Sequence, residues 1–122
     1  MKGAFCITYG ATIENQILEY LLETQNLDVA IGDMARELGI SRPKAYQVIK
    51  EFEEKTYVQK SRIIGNTQLY KLNKDSQRVQ LFLHDFKMCL RLVAEESQKS
   101  HSALVRTARV GIASAKRISK EK

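Results

Sequence analysis

Ser41, Arg42, Lys44, Tyr46, Gln47 and Lys50 lie within one ten-residue stretch. Side chains three or four positions apart share a helix face, so Arg42, Lys44, Tyr46, Gln47 and Lys50 are expected on the solvent face if the stretch is helical. Their chemistry suits a polyanion whose bases carry hydrogen-bonding edges. A guanidinium presents a bidentate fork to a guanine edge or to phosphate, and a carboxamide matches an adenine edge. A tyrosine stacks on sugar or methyl groups, or donates to phosphate. An ammonium adds charge without choosing a base. Arg42, Lys44, Tyr46 and Gln47 are therefore expected to read base edges, and Ser41 and Lys50 to meet the backbone. A second set follows in Lys60, Arg62, Asn66, Thr67 and Lys71. These are expected on backbone or in the minor groove, with Arg62 foremost.

No comparable grouping points to catalysis. The chain has no glycine-rich phosphate loop with a lysine and no Ser–His–acid set. His84 and Asp85 are adjacent, and adjacent helical residues do not face each other. Glu51, Glu53 and Glu54 read as a solvated helix face. Two cysteines and two histidines at unhelpful spacing make no metal cluster. The expectation is a protein that is not an enzyme, with no metal and no cofactor.

The elements that must hold these side chains follow from pattern. IGDMAREL reads as a short helix with Met34, Ala35 and Leu38 inward. Gly39 ends it, since glycine enters the left-handed region without a Cβ penalty. Ser41 caps the next helix, and Pro43 fits its first turn, where a missing N–H costs little. Ala45, Val48, Ile49 and Phe52 form an apolar face that should run to about Lys55. YVQKSRII and QLYKL then read as strands around the turn GNT, a hairpin. Upstream, Thr12 caps a helix carrying Ile13, Ile17, Leu18, Leu21 and Leu22, which should end near Thr24. Leu27 and Val29 suggest a brief strand. In residues 1–11, Phe5, Ile7 and Tyr9 alternate, which predicts a strand or ordered arm, and Gly3 and Gly10 argue against a helix. Asp75 or Ser76 caps a long helix. Val79, Phe82, Leu83, Phe86, Leu90 and Val93 line one side of it, and Leu81, Met88 and Leu92 another. A helix apolar on two sides should touch more than its own domain.

Charge agrees with a polyanionic partner. The net charge is +6, but residues 1–40 carry two basic and six acidic side chains, whereas 41–74 carry eight and three and 99–122 carry seven and one. Basic charge therefore gathers in the proposed contact region and in the tail. No 18-residue apolar stretch exists to span a bilayer. The start, MKGAFCITYG, is too short and polar for a signal peptide. With its sparse cysteines, the chain reads as a reduced, cytoplasmic protein without a membrane segment.

The stretch from Asp28 to Leu72, containing IGDMARELGISRPKAYQVIKEFEEKTYVQKSRIIGNTQLYKL, resembles a winged helix-turn-helix DNA-binding domain. It is similar to the small bacterial and archaeal transcriptional regulators of the MarR, ArsR and PadR kinds. The resemblance makes Ala35 the small residue that lets the second helix pack closely, Gly39 the turn glycine, Ile40 the hydrophobic after it, and Gly65, Asn66 and Thr67 the wing tip. Two positions depart from the pattern. Thr56 stands where such domains usually have glycine, which predicts a distorted exit turn, and Ala45 stands where a larger branched residue is common.

The expected fold is therefore mainly α with a small β-hairpin wing, a winged helix-turn-helix with a long C-terminal helix. Its expected parts are an N-terminal arm (1–11), the winged domain (12–75), a dimerisation helix (76–98) and a basic tail (99–122) that is flexible or weakly helical. The resemblance and the doubly apolar helix imply a homodimer, with Leu81, Met88, Cys89 and Leu92 as contacts. Cys89 also suits a core position. The implied function is sequence-specific binding of double-stranded DNA, with residues 42–55 in the major groove and the wing, 57–72, on the backbone or minor groove. The alternative is an architectural or plasmid-partition-type adaptor that spreads on DNA while its basic tail recruits a protein partner.

Overall fold

Two glycines bracket the first helix instead of breaking a strand. The computed structural model describes residues 3–110, with side chains as far as residue 98. Within it Ala4–Tyr9 is a helix, α1, flanked by Gly3 and Gly10. This corrects the strand or arm expected from alternation. The helix exists because a distant carboxylate caps it: Phe5 N–H donates to Glu19 Oε2 at 2.8 Å and Cys6 N–H at 3.4 Å. Gly3 permits that approach, since a Cβ there would collide with the Glu19 carboxylate. Ala4, Phe5 and Cys6 are buried, so α1 adds apolar surface to the core.

Helix α2 (Ile13–Glu23) starts where expected, with the Thr12 side chain accepting from Asn15 N–H at 3.1 Å. The two-residue strand β1 (Val29–Ala30) leads into α3 (Ile31–Leu38). Gly39 then takes φ 69°, and Ile40 N–H reaches back to the Ala35 carbonyl at 2.9 Å, the Schellman ending that reverses the chain. Ser41 caps α4 (Arg42–Glu54) by accepting from Lys44 N–H at 3.3 Å.

The exit from α4 has the same form. Tyr57 N–H donates to the Phe52 carbonyl at 2.8 Å and Thr56 N–H to that of Glu53 at 3.0 Å. Thr56 sits at φ 65°, the one non-glycine at positive φ among the described residues. The turn is thus regular, not distorted as the missing glycine predicts. The threonine instead holds a conformation that its Cβ disfavours. The Phe52 and Tyr57 rings, 5.5 Å apart, supply the apolar contact that accompanies this motif, and Tyr57 meets Phe82 edge-on at 5.2 Å.

Strands β2 (Val58–Ile64) and β3 (Thr67–Leu72) form the hairpin, and β1 pairs on the other side of β3 in an antiparallel sheet of order β1-β3-β2. The loop is Gly65-Asn66, and only the glycine uses positive φ, at 61°. Thr67 already belongs to β3. The pairing is not continuous. Lys60 faces Tyr70, but Ile63 faces Gln68, so β2 carries one extra residue, a β-bulge.

Ser76 begins the last helix, accepting from Val79 N–H at 3.4 Å. That helix, α5, spans Gln77–Val110, so its backbone runs past residue 98, where the sequence suggested a tail. No proline or glycine interrupts it before position 111. Tail side chains from residue 99, and all of residues 111–122, lie outside the described residues. The chain divides into two units at Cys89/Leu90. The first holds the core, made of Ile17, Leu21 and Leu22 from α2, Met34 and Ala35 from α3, Val48 and Ile49 from α4, Val58 from β2 and Val79 from α5. The second is helical as far as Val110, and its Leu90 and Leu92 are exposed.

Candidate nucleic-acid interface

Burial of one face of α4 fixes what the other face presents. Ala45, Val48, Ile49 and Phe52 are all buried, which sets the helix rotation. Ala35 and Ala45, both at 1% exposure or less, keep α3 and α4 close. The smaller residue at 45 is therefore accommodated without loss of burial. Arg42, Tyr46, Gln47 and Lys50 lie exposed on the opposite side, Tyr46 at 48%. Ser41 is exposed at the helix start. Lys44 is only half-buried, on the flank and not on the outer face, because it neighbours the buried Ala45 at the edge of the apolar stripe.

The fold joins this face to the wing. Arg42 and Tyr46 line a polar cleft of about 370 Å³ together with Asn66, Thr67, Gln68 and Tyr70, and Gly32 and Asp33 also line it. The Arg42 guanidinium lies over Gly32, where an added Cβ would come within 3.0 Å of Nη2. Gly32, Gln68 and Tyr70 were not legible as site residues, since each gains its place from strand pairing or from packing of α3. Burial raises the Tyr70 phenol, with smaller contributions from Glu53 and Tyr46, so it enters the cleft as a neutral hydroxyl.

Strand alternation sorts the remaining wing residues. Lys60 is opposite Tyr70 and shares its face. Lys71 is opposite Gln59, and those two line a separate cleft with Asn26, Asp28 and Lys74. Lys71 therefore does not join Arg42 and Tyr46. Arg62 does not point freely from the wing either, because its Nε donates to Asp28 Oδ2 at 2.8 Å. Arg42, Lys50 and Lys60 have no ion-pair partner among the described residues, whereas Arg36 is paired with Asp33 at 2.8 Å. Arg42 thus lines the cleft without an ion-pair partner among the described residues, and Lys60 shares the sheet face of Tyr70 beside it.

Leu81 is 57% and Met88 37% exposed on α5, whereas Cys89 is 3% exposed and belongs to the core. Cys89 is accordingly not an outward contact. Residue 89 follows Phe86 by three positions, which places both on the inward stripe of α5. No group of three metal-ligating side chains occurs among the described residues. No described helix is long and apolar enough to cross a membrane.

No protein-family model and no curated protein sequence matches the chain. Solved structures do. HlyU from Vibrio cholerae is 21% identical with a TM-score of 0.50, covering 72% of this chain and 87% of that one. MepR, a transcription regulator of a Staphylococcus aureus multidrug efflux pump, is 20% identical with a TM-score of 0.55, covering 84% and 83%. The S. aureus MepR–DNA complex matches at 13% identity and a TM-score of 0.56, covering 87% and 86%. The fold is that of a winged helix-turn-helix, mostly helical with a three-stranded wing sheet and a long C-terminal helix.

Proposed function

We infer that this chain binds double-stranded DNA sequence-specifically as a dimeric, cytoplasmic transcriptional regulator and is not an enzyme. The observation that carries this reading is the cleft itself, in which exposed Arg42 and Tyr46 of α4 meet the wing turn at Asn66 and Thr67. Lys50 of α4 and Lys60 of β2 have no ion-pair partner among the described residues. A helix with this polar face matches the major groove, where base edges are distinguishable. Likeness to a regulator solved in complex with DNA supports the same mode. In this reading Arg42, Tyr46 and Gln47 meet base edges, with Lys44 at the margin. Ser41, Lys50, Lys60, Asn66 and Thr67 hold the backbone, and Lys71 and Arg62 are secondary.

A dimer follows from the exposed apolar residues Leu81 and Met88 of the first unit and Leu92 of the second. Two copies would read a palindrome with higher avidity than one. The basic tail remains a place for a protein partner or for DNA. Footprinting across the DNA upstream of the protein's own coding sequence tests the reading. A short protected inverted repeat supports a specific regulator. Protection that spreads without a boundary, with affinity that collapses as salt rises, would favour the architectural adaptor instead.

A further inference from the structure

The β-bulge decides which wing side chain faces the recognition cleft. Before it, Lys60 pairs with Tyr70. In unbroken register Arg62 would then pair with Gln68. The extra residue in β2 moves Ile63 into that place, and opposite residues share a sheet face. Gln68 and Tyr70 both line the cleft beside Arg42 and Tyr46, so Ile63 occupies the face that the cleft uses. It is 65% exposed, and Ile64, at the tip opposite Thr67, is 55% exposed. Arg62 is turned aside to Asp28. Arg62 is exposed and Asp28 half-buried in that pair, but the bulge already puts Ile63, not Arg62, opposite Gln68, so strand register by itself removes the cation from this face.

A β-branched apolar pair left in water at a wing tip needs a partner. Its surroundings favour a polyanion over an apolar protein face: residues 58–72 carry Lys60, Arg62 and Lys71 and no acidic side chain. Apolar residues set among cations suit the minor groove, whose sugar walls and base steps accept isoleucine wedges while flanking cations hold the phosphates. We propose that the wing enters the minor groove of duplex DNA through Ile63, with Ile64 at its tip, in place of an arginine. This rests on the DNA-binding reading above.

The test uses the full-length protein and a labelled duplex from the DNA upstream of its coding sequence, with affinity measured by fluorescence anisotropy over a salt series. Both isoleucines are exposed, so Ile63→Ser and the Ile63→Ser/Ile64→Ser double variant should keep the wild-type melting temperature. The expected loss is about five- to tenfold in affinity at every salt concentration, with the slope of log affinity against log salt unchanged. Preloading the duplex with netropsin, which fills the minor groove, should erase the difference between wild type and variant. Deleting Ile63 should remove the bulge, bring Arg62 opposite Gln68, and steepen the salt slope by about one charge. Wild-type affinity in both serine variants, together with a flatter slope in Arg62→Ala, would overturn the proposal and leave DNA binding intact. A change in self-association without a change in DNA affinity would overturn it as well, in favour of a protein contact. Absence of duplex binding by the wild type would remove both readings.

Discussion

Replacing Thr56 by glycine should stabilise the protein, although it deletes a side chain. Thr56 stands at φ 65° in the turn that closes α4. For an L-residue with a Cβ the left-handed region costs roughly 1–2 kcal/mol, and a branched Cβ lies toward the upper end. Glycine removes that cost but loses more backbone freedom on folding, roughly 0.5–1 kcal/mol. Little else changes. The residue is exposed, and its hydroxyl reaches only the preceding Lys55 carbonyl. The Asn73 amide, at 2.9 Å, bonds the Thr56 carbonyl and not its side chain. The net gain is about 0.5–1 kcal/mol, a rise of roughly 2–8 °C in melting temperature for a domain near 100 residues. Gly39 at φ 69° occupies the equivalent place after α3, so Gly39→Thr is the mirror experiment and should lose a similar amount, roughly 0.5–1 kcal/mol. Thermal and urea unfolding followed by circular dichroism measure both. If Thr56→Gly melted at or below the wild-type temperature while Gly39→Thr fell as expected, the strain assigned to Thr56 would be wrong.

Gln47→Ala should relax sequence preference, whereas Lys50→Ala should weaken all duplexes alike. Titrations against matched and scrambled sites separate the two, and equal losses for both variants on every DNA would refute the division of roles. Gly32→Ala should gain roughly 0.5–1 kcal/mol of helix stability yet weaken DNA binding, because the new Cβ displaces the Arg42 guanidinium lying over it. Unfolding and anisotropy on the same preparation decide it, and unchanged affinity would show that Arg42 needs no such placement. Burial, aided by a hydrogen bond to Glu37, pushes the Tyr20 phenol up to about 12. Its folded value lies above its unfolded one, so its contribution to stability is complete below about pH 10 and lost as pH rises toward 12. Ultraviolet titration should therefore show a last phenolic step near pH 12 that is absent in Tyr20→Phe.

The central third of the molecule was legible because its signals are local. Gly39, Ser41 and Pro43 act through the backbone of their own turns, and the stripe Ala45, Val48, Ile49 and Phe52 fixes the rotation of α4 by burial alone. What was missed depends on residues far apart in the chain. Helix α1 is capped by Glu19, fourteen positions from Phe5, and no local pattern announces such a cap. The bulge is invisible in VQKSRII, yet it decides that Ile63 and not Arg62 faces Gln68. Lys71 looked equivalent to Lys60 in sequence, but pairing with Gln59 sends it to the other cleft. Cys89 suits core or interface equally in sequence, and only the inward stripe that it shares with Phe86 decides for the core.

The interior position of both sulfurs has a practical consequence. Cys6 and Cys89 are each 3% exposed, and the chain has no third cysteine. Maleimide reagents should therefore leave the folded native protein nearly untouched. A cysteine introduced at the exposed Asn66 would accept a fluorophore or spin label selectively, without first stripping out two side chains that fill the core. The hairpin tip can then be tracked spectroscopically against a silent background.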